Sequence, residues 1–413
     1  MAETITRTLK LHIFPTSDEQ QLLRDMTEQY RQACNFVSQY VFDHGFVLNS
    51  YQLQKILYAD VRVQFGLKAQ MAVSVFRTVT ARYKTVLEQL RQHPYRYQED
   101  GVTHTFQKDL DWLWRPVQFH RPQVDLVRSR DYCFLQKEHK LSLNTLGNRI
   151  KVDYADNCWP EYFDGTWTFG TGKIVSLNGN WYFHIPVSKE ADKPLERDEI
   201  QHVVGIDRGL RFLTTTYDEK GKCAFTSGKE VLRKRQKFLA RRKELQSKHT
   251  WSSYRKLKEL SGRENRWMSD VNHQIAKTLV DTYGPNTLFV IEDLTNVSFD
   301  DKNLQRGAKQ NNEIRSWAFY QLEQFLTYKA EDNHCKVLKV SAKYTSQRCP
   351  KCGCVHKANR DHANHRYVCD KCGYQSNDDR VGAMNIQNLG TLWVSGDEHP
   401  RYGIQKESTT AIG

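Results

Sequence analysis

The chain has 413 residues, which exceeds one small core and predicts two or three domains. It carries 61 Lys and Arg against 48 Asp and Glu, and the net charge of +13 favours a polyanionic partner such as a nucleic acid. No run reaches the roughly 18 apolar residues of a membrane helix, and the opening residues lack the apolar core of a signal peptide, so we expect a cytosolic protein without a membrane partner.

The first hundred residues predict one strand and a helical domain. Residues 5–14 alternate like a strand, Pro15 stops them, and Ser17 with Gln20 predicts a capping box. Apolar residues then recur every three or four positions, which predicts helices over about 17–93. The two stripes are Leu22, Met26, Tyr30, Cys34, Val37 and Val41, then Met71, Val75, Val79, Tyr83, Val86 and Leu90.

The middle of the chain predicts a mostly β structure. Between about 115 and 190, short alternating runs end in turn residues, and Asn178-Gly179 between two of them predicts a β-hairpin. We expect a small barrel that the first strand completes.

From His202 onwards the order of elements is that of the ribonuclease H-like fold. We expect three antiparallel strands, a long basic helical stretch, a strand, a polar loop, a helix and a last strand. These segments are 202–207, 211–217, 223–226, 229–281, 287–291, 298–313, 317–331 and 336–340.

Three acidic residues stand where such a fold could bring them together. Asp207 and Glu292 each end an apolar strand, and Asp379 stands near the start of a predicted helix. Asp378 is expected to point elsewhere, as part of the helix start. The helical face that carries the third acid consists of Asp379, Gly382, Ala383, Ile386 and Leu389. Small residues there would let the helix approach the sheet closely, although any one acid at a strand end is also typical of turns and caps.

Such a cluster predicts a metal site. Carboxylates a few ångströms apart repel one another and raise each other's pKa unless a cation intervenes. Mg²⁺ or Mn²⁺ prefers oxygen ligands. Two such ions about 4 Å apart would support hydrolysis of a phosphodiester.

Four cysteines predict a structural zinc site. They form two CxxC pairs, Cys349 with Cys352 and Cys369 with Cys372, and sixteen residues separate the pairs. A glycine follows each pair and permits a tight turn that directs amide N–H groups to the sulfurs. Cys354, His356, His362 and His365 are expected to stay off the metal, the histidines facing solvent or nucleic acid.

A cluster of basic residues predicts phosphate contacts along one helix, with a solvated helix face as the alternative. Its members are Arg233, Lys234, Arg235, Lys237, Arg241, Arg242 and Lys243.

Together these motifs resemble the transposon-encoded RNA-guided nucleases of the TnpB type and their relatives, the miniature type V CRISPR effectors. The matching residues are Gly205-Ile206-Asp207, Glu292-Asp293-Leu294, Tyr344 to Gln347, both CxxC-Gly pairs, and Asp379 with Ala383, Asn385 and Ile386. The resemblance implies a nucleoid-associated prokaryotic protein holding a guide RNA made from the transposon end. The RNA pairs with double-stranded DNA beside a short motif that the protein reads, and one RuvC-like site cuts.

The same resemblance implies a domain layout. Residues 1–16 and 110–198 would form a wedge-like barrel, 17–109 the recognition helices, 199–345 and 374–395 the RuvC-like domain, 346–373 a target-binding zinc finger, and 396–413 a flexible tail. Residues 298–313 occupy the place of a lid loop in the family. The expected contacts to the motif beside the target are Lys68, Gln70, Ser74 and Arg77. Arg208 replaces an apolar residue of the family and could perturb the site or touch phosphate.

Three other functions remain open at this stage. The chain could bind DNA under RNA guidance without cutting it, as a repressor does. It could be a transposase that joins DNA strands with the same fold and metals. It could also be a zinc-finger nucleic-acid chaperone.

Overall fold

The computed structural model describes residues 4–155, 160–177, 179–191, 193–294, 319–361 and 364–403. The chain divides into two compact units, Met1–Ala191 and Asp192–Gly413. Within the described residues, no helix combines the length and the apolar character that a membrane span requires. The predicted loop 298–313 lies outside the described residues.

Three helices pack together in the first unit. They are α1 (Ser17–Asp43), α2 (Ser50–Phe65) and α3 (Ala69–Gln92). The capping box at the start of α1 is made by Thr16 and Glu19, one residue earlier than predicted, because Thr16 already has extended backbone and its hydroxyl accepts from the Glu19 N–H. Leu22 was wrongly predicted to face the core, since it is 40% exposed and Leu23 is buried instead.

The first unit also contains a nearly closed sheet. Its strands are β1 (Thr4–Phe14), β4 (Val124–Leu126), β5 (Tyr132–Leu135), β6 (Lys140–Leu143), β7 (Ile150–Ala155), β8 (Thr168–Phe169), β9 (Gly172–Leu177) and β10 (Asn180–Glu190). The order is β4-β9-β10-β1-β7-β6-β5, and β8 pairs with β10 beside this path. The first strand joins this sheet, in its middle, and β9 and β10 form the predicted hairpin. An exposed hairpin, β2 (Tyr95–Glu99) and β3 (Val102–Phe106), follows α3 within the segment that was predicted to be helical.

The second unit is built on a mixed sheet. Its strands, in the order β13-β12-β11-β14-β15, are β11 (His202–Asp207), β12 (Phe212–Tyr217), β13 (Cys223–Ser227), β14 (Thr287–Asp293) and β15 (Lys336–Ser341). β11, β12 and β13 are antiparallel, whereas β14 runs parallel to both β11 and β15. The order of elements thus agrees with the prediction among the described residues.

Helices cover both faces of this sheet. They are α4 (Lys229–Ser247), α5 (Trp251–Tyr283), α6 (Phe319–Asp332) and α7 (Asp378–Val394). Because side chains alternate along a strand, Ile206 and Ile291 pack against α5 and α6, while Val203 and Val290 pack against α7. The basic stretch predicted as one helical run is two helices, separated by a turn in which His249 adopts a left-handed backbone with φ of 48°.

Between β15 and α7 lies a small finger. It contains the four cysteines and three short strands, β16 (Arg360–Asp361), β17 (Arg366–Val368) and β18 (Gln375–Asn377), and β18 leads directly into α7. The predicted flexible tail is wrong at Tyr402, which is buried against α7 and whose hydroxyl donates to the Asn385 carbonyl at 2.8 Å.

Candidate active site

Two of the predicted acids lie side by side on the sheet. Ile206 of β11 pairs with Ile291 of the parallel strand β14, so Asp207 and Glu292 occupy equivalent positions one residue further on. Side chains alternate between the faces of a strand, and both acids therefore point to the face that α7 covers.

The helix α7 brings the third acid to the same place. A Cβ atom added to Gly382 would lie 2.5 Å from Asp207 Oδ2, which shows that the helix rests directly on that carboxylate. Gly205 beneath it allows the same close approach, because a Cβ there would collide with the backbone of α7. Asp379 lies one turn before Gly382, and its charge adds to the effects that raise the pKa of Asp207. Among the described residues, however, the acidic group whose ligand atoms all lie within 4.8 Å of one another is Asp379 with Asp378 and His365, not Asp379 with Asp207 and Glu292.

All three acids have raised pKa values, and burial is the largest cause for each. Burial, then Glu292 and then Asp379 raise the pKa of Asp207 well above its usual value. Burial also raises the pKa of Glu292 and of Asp379, and for Asp379 the neighbouring Asp378 adds to the effect. One oxygen of Asp379, Oδ2, is buried without a hydrogen-bond partner among the described residues. The cluster therefore holds negative charge that the surrounding protein only partly compensates.

The finger supplies the basic residues that partly compensate it. Arg360 Nε donates to Asp378 Oδ2 at 2.9 Å, and Arg360 Nη2 lies 3.6 Å from Asp379 Oδ1. His365 Nδ1 lies 3.7 Å from Asp379 Oδ2. His365 is therefore directed towards the acids with its Nδ1, while its side chain remains 26% exposed, and its predicted contact with nucleic acid stays a prediction. Asn377 caps α7, while the fully buried Asp378 anchors Arg360 and His365, so its predicted role at the helix start was incomplete.

A hydrogen-bonded loop holds Glu292 in place. The buried Thr345 hydroxyl donates to Glu292 Oε1. Asn385 of α7 fixes this loop, because its Nδ2 donates to the Thr345 carbonyl at 2.7 Å and to the Arg348 carbonyl at 2.8 Å. In the sequence, Thr345 and Asn385 were recognised only as parts of motifs. Their hydrogen bonds, which connect Glu292, α7 and the first cysteine pair, could not be predicted from it.

Arg208 lies behind the acids and is buried. Its side chain is 2% exposed, its Nη2 donates to the Glu292 carbonyl at 2.6 Å, and its Nη1 lies 3.3 Å from Glu323 Oε2. Its charge lowers the pKa of Glu292 against the larger effect of burial. Arg208 is thus close enough to perturb the site, which stays a prediction, whereas the predicted contact with phosphate is wrong because the guanidinium is enclosed by protein.

We expect Arg208→Met to destabilise the second unit. Removing one partner of a buried ion pair costs about 3–5 kcal/mol, and the lower end applies here because Lys339 also pairs with Glu323, at 2.6 Å. Urea denaturation would measure the loss. Lys339→Met is the matched control, since Lys339 is 47% exposed and should cost less than about 1 kcal/mol. Equal stability of Arg208→Met and wild type would show that the buried contacts of Arg208 contribute nothing.

Gly382→Ala tests the close approach of α7. The new Cβ would displace either the helix or the Asp207 carboxylate, and a shift of about 1 Å at a reacting centre can lower a rate on the order of 10²-fold. Single-turnover cleavage of DNA, the activity that the resemblance implies, would measure the effect. Gly262→Ala, in the exposed part of α5, meets only the flexible end of Arg266 and should cut normally while gaining about 0.5–1 kcal/mol of helix stability. Normal cleavage by Gly382→Ala would refute the proposed proximity.

The four cysteines of the finger converge. Their sulfur atoms lie within 4.8 Å of one another, with 3.6 Å between Cys349 and Cys372 and 3.5 Å between Cys352 and Cys369. This cluster could bind zinc, because four thiolates at such spacing form a closed tetrahedral site. The backbone N–H of Cys354 lowers the pKa of Cys352 to about 7, which favours the thiolate that a metal needs.

The two halves of the cysteine site share one turn geometry. Gly353 and Gly373 have φ of 75° and 69°, and their N–H groups donate to the Cys349 and Cys369 carbonyls at 2.9 Å. This confirms the predicted role of the two glycines. Cys354 is not part of the four-sulfur cluster, also as predicted, and His356 contacts Asp370. His362 lies outside the described residues.

The candidate nucleic-acid contacts occupy two places. Ser74 and Arg77 of α3 line an open cleft of 720 Å³ in the first unit, together with basic residues that include Arg82, Arg121 and Lys173. Lys68, the N-cap of α3, and Gln70, which accepts from Arg130 at 2.6 Å, are not among the residues that line it.

The seven basic residues from Arg233 to Lys243 all lie on α4, as predicted. Several already contact the protein. Arg233 pairs with Glu230, Arg241 with Glu244, and Arg242 with Glu264 on α5. Lys234 Nζ lies 4.4 Å from the centre of the Trp267 ring.

Two protein-family models match the chain. One, described as a probable transposase, matches residues 184–298, and the other, described as the Cas12f1-like TNB domain, matches residues 319–386. The second match includes the finger, Asp379 and Gly382.

Curated relatives and solved structures agree with these matches. The chain is 26% identical over 272 residues to the CRISPR-associated endodeoxyribonuclease Cas12f1 of Syntrophomonas palmitatica, covering 61% of this chain and 51% of that protein. It is 27% identical over 273 residues to the putative RNA-guided DNA endonuclease InsQ of Escherichia coli, covering 62% and 66%. The alignments thus span less than two thirds of either relative.

The fold resembles a solved effector over almost the whole chain. A cryo-electron microscopy structure of a Cas12f1–sgRNA–target DNA complex matches with a TM-score of 0.55 and 14% identity, covering 94% of this chain and 99% of that one. The family matches and relatives confirm the resemblance to TnpB-type nucleases and miniature CRISPR effectors that the motifs predicted.

Proposed function

We propose that this chain is an RNA-guided DNA endonuclease that hydrolyses phosphodiester bonds at one RuvC-like site formed by Asp207, Glu292 and Asp379. The observation that carries the proposal is that Asp207 and Glu292 occupy equivalent positions of adjacent parallel strands, while α7, which carries Asp379, rests on the Asp207 carboxylate. Relatives with the names Cas12f1 and InsQ support guide RNA and DNA as the partners.

The chemistry of the donors suits hard divalent cations, although among the described residues these three carboxylates do not form a group whose ligand atoms all lie within 4.8 Å of one another. Asp207, Glu292 and Asp379 offer carboxylate oxygens, one of which, Asp379 Oδ2, is buried without a partner among the described residues. Their raised pKa values show that a counter-charge would be favourable there. Mg²⁺ or Mn²⁺, when bound by these acids, would activate the attacking water and stabilise the leaving oxygen.

The remaining residues of the site position the acids. Thr345 and Arg208 fix Glu292 through its carboxylate and its carbonyl. Arg360 and His365 bracket Asp379 and Asp378, so the finger and the acids are structurally connected. Asp207 and Glu292 are not fully buried, and their small exposed edge is where a phosphodiester could approach.

The other parts of the chain take their roles from the same proposal. The nearly closed sheet would be the wedge-like domain, the helices α1 to α3 the recognition domain, and the finger a zinc-bound target-binding module. The cleft lined by Ser74 and Arg77 is a reasonable place for the DNA motif beside the target. The guide would derive from a transposon end, and the protein would act in the prokaryotic cytosol, associated with the nucleoid.

Sequencing of the RNA that co-purifies with the protein, followed by plasmid cleavage, tests the proposal. We expect one structured RNA whose variable end directs cutting of a matched plasmid in Mg²⁺ and not in EDTA. Guide-dependent binding without cutting at any metal concentration would instead support a repressor. Strand joining without RNA would support a transposase.

A further inference from the structure

The positive charge of the chain is concentrated in one helical hairpin. Residues 229–267, which we call the basic arm, comprise α4 and the first half of α5. They contain fourteen Lys and Arg against four Glu, a net charge of +10 out of the +13 of the whole chain. A charge density of this kind attracts a polyanion over the full length of the arm, which for α4 is about 28 Å.

The basic arm is held together by a narrow seam. Its buried apolar residues on α4 are Val231, Phe238 and Leu245, spaced by seven, as in a two-stranded coiled coil. On α5, Ser253 is the only described residue before Met268 that is buried, and Met268 onwards packs with the sheet. The part of the arm around the turn between α4 and α5 therefore exposes nearly its entire surface to solvent.

An aromatic pair stands at the tip of the basic arm. Trp251, the first residue of α5, is 81% exposed, and Tyr254 is 49% exposed. Their ring centres lie 6.1 Å apart at an angle of 87°, and Lys258 Nζ lies 4.8 Å from the centre of the Tyr254 ring. The Trp251 ring does not pack in the seam between α4 and α5. The basic residues around it would repel a basic partner and disfavour a purely apolar one.

We infer that the tip of the basic arm is a nucleic-acid contact in which Trp251 stacks on an unpaired base while neighbouring Lys and Arg residues hold phosphates. This inference rests on the proposed function for its partner. Every nucleobase has a π face that an exposed indole can cover, and the strand's phosphates match the charge of the arm. A membrane surface is less suitable, because the apolar area exposed at the tip is two rings and the charge extends along the whole arm.

Binding of homopolymers to the full chain, freed of co-purifying nucleic acid, tests the inference. The probes are labelled oligouridylate, oligothymidylate and a DNA duplex of equal length, with affinities measured by anisotropy. Trp251→Ala should weaken binding to single strands by about tenfold, because stacking contributes on this scale, and binding to the duplex by less than about twofold. If Trp251→Ala weakens binding to oligouridylate alone, the stacked base belongs to guide RNA. If it weakens binding to oligothymidylate alone, the base belongs to target DNA.

Two matched variants make the result specific. Trp251→Phe keeps a ring and should retain affinity within about threefold. Leu239→Ala removes a 45% exposed apolar side chain from the same arm and should bind like wild type. Unchanged binding of single strands by Trp251→Ala, or an equal loss with the duplex, would overturn the inference. Because no guide or cleavage is needed, failure of the nuclease proposal would not alter this readout.

Discussion

Asp207→Asn is expected to lower DNA cleavage by about 10³-fold or more while leaving guide-dependent DNA binding intact. The substitution preserves shape and removes the central carboxylate, which adjoins both Glu292 and Asp379. Cleavage of a matched plasmid and binding of the same target would be measured in parallel. Asp281→Asn, which alters an exposed acid on α5, should cut like wild type.

The same variant is expected to be more stable than wild type without divalent cations. The pKa of Asp207 is raised in the folded state, so the protein loses stability as pH rises from about 4, the value in unfolded chains, through the raised pKa. Asparagine does not ionise, so the variant lacks this pH-dependent loss of folding stability. Thermal melting from pH 4 to 8 in EDTA should therefore show a smaller decline for Asp207→Asn, and an identical decline would contradict the electrostatic account.

Cys352→Ser is expected to release zinc and unfold the finger. Structural zinc contributes on the order of 10 kcal/mol to the folding of such modules, and three thiolates hold the ion far less well. We also expect cleavage to be lost, because Arg360 and His365 reach Asp378 and Asp379 from the finger. Metal analysis of the purified chain would give about one zinc for wild type and none for the variant.

Cys354→Ser provides the control for this result. Cys354 lies beside the sulfur cluster but is not part of it, so this variant should retain zinc and activity. Full zinc occupancy and normal cleavage in Cys352→Ser would show that the cluster is not a metal site.

The strand alternation of the second unit made much of the site predictable. Asp207 and Glu292 end apolar strands, and period-two alternation requires residues at equivalent positions of parallel neighbours to share a face. Gly382 and Ala383 on the face of Asp379 likewise indicated a helix that approaches closely. The cysteine spacing and the glycine after each pair were enough to predict the four-sulfur cluster and its turns.

Other features depend on tertiary contacts that no local pattern shows. Arg360 and His365 reach the acids because the strands of the finger return the chain to the start of α7, and the register of those strands is not visible in the sequence. Arg208 looked able to reach phosphate, and only the packing of α6 reveals that it is buried. Tyr402 lies in a polar segment, yet Asn385 and Asn388 of α7 bind its hydroxyl.

Anomalous diffraction at the manganese edge, from crystals of the chain grown with Mn²⁺, tests the central claim most directly. We predict manganese density within coordination distance of carboxylate oxygens from Asp207, Glu292 and Asp379 together. Manganese bound elsewhere, with these three side chains free of metal at saturating Mn²⁺, would contradict the proposed active site.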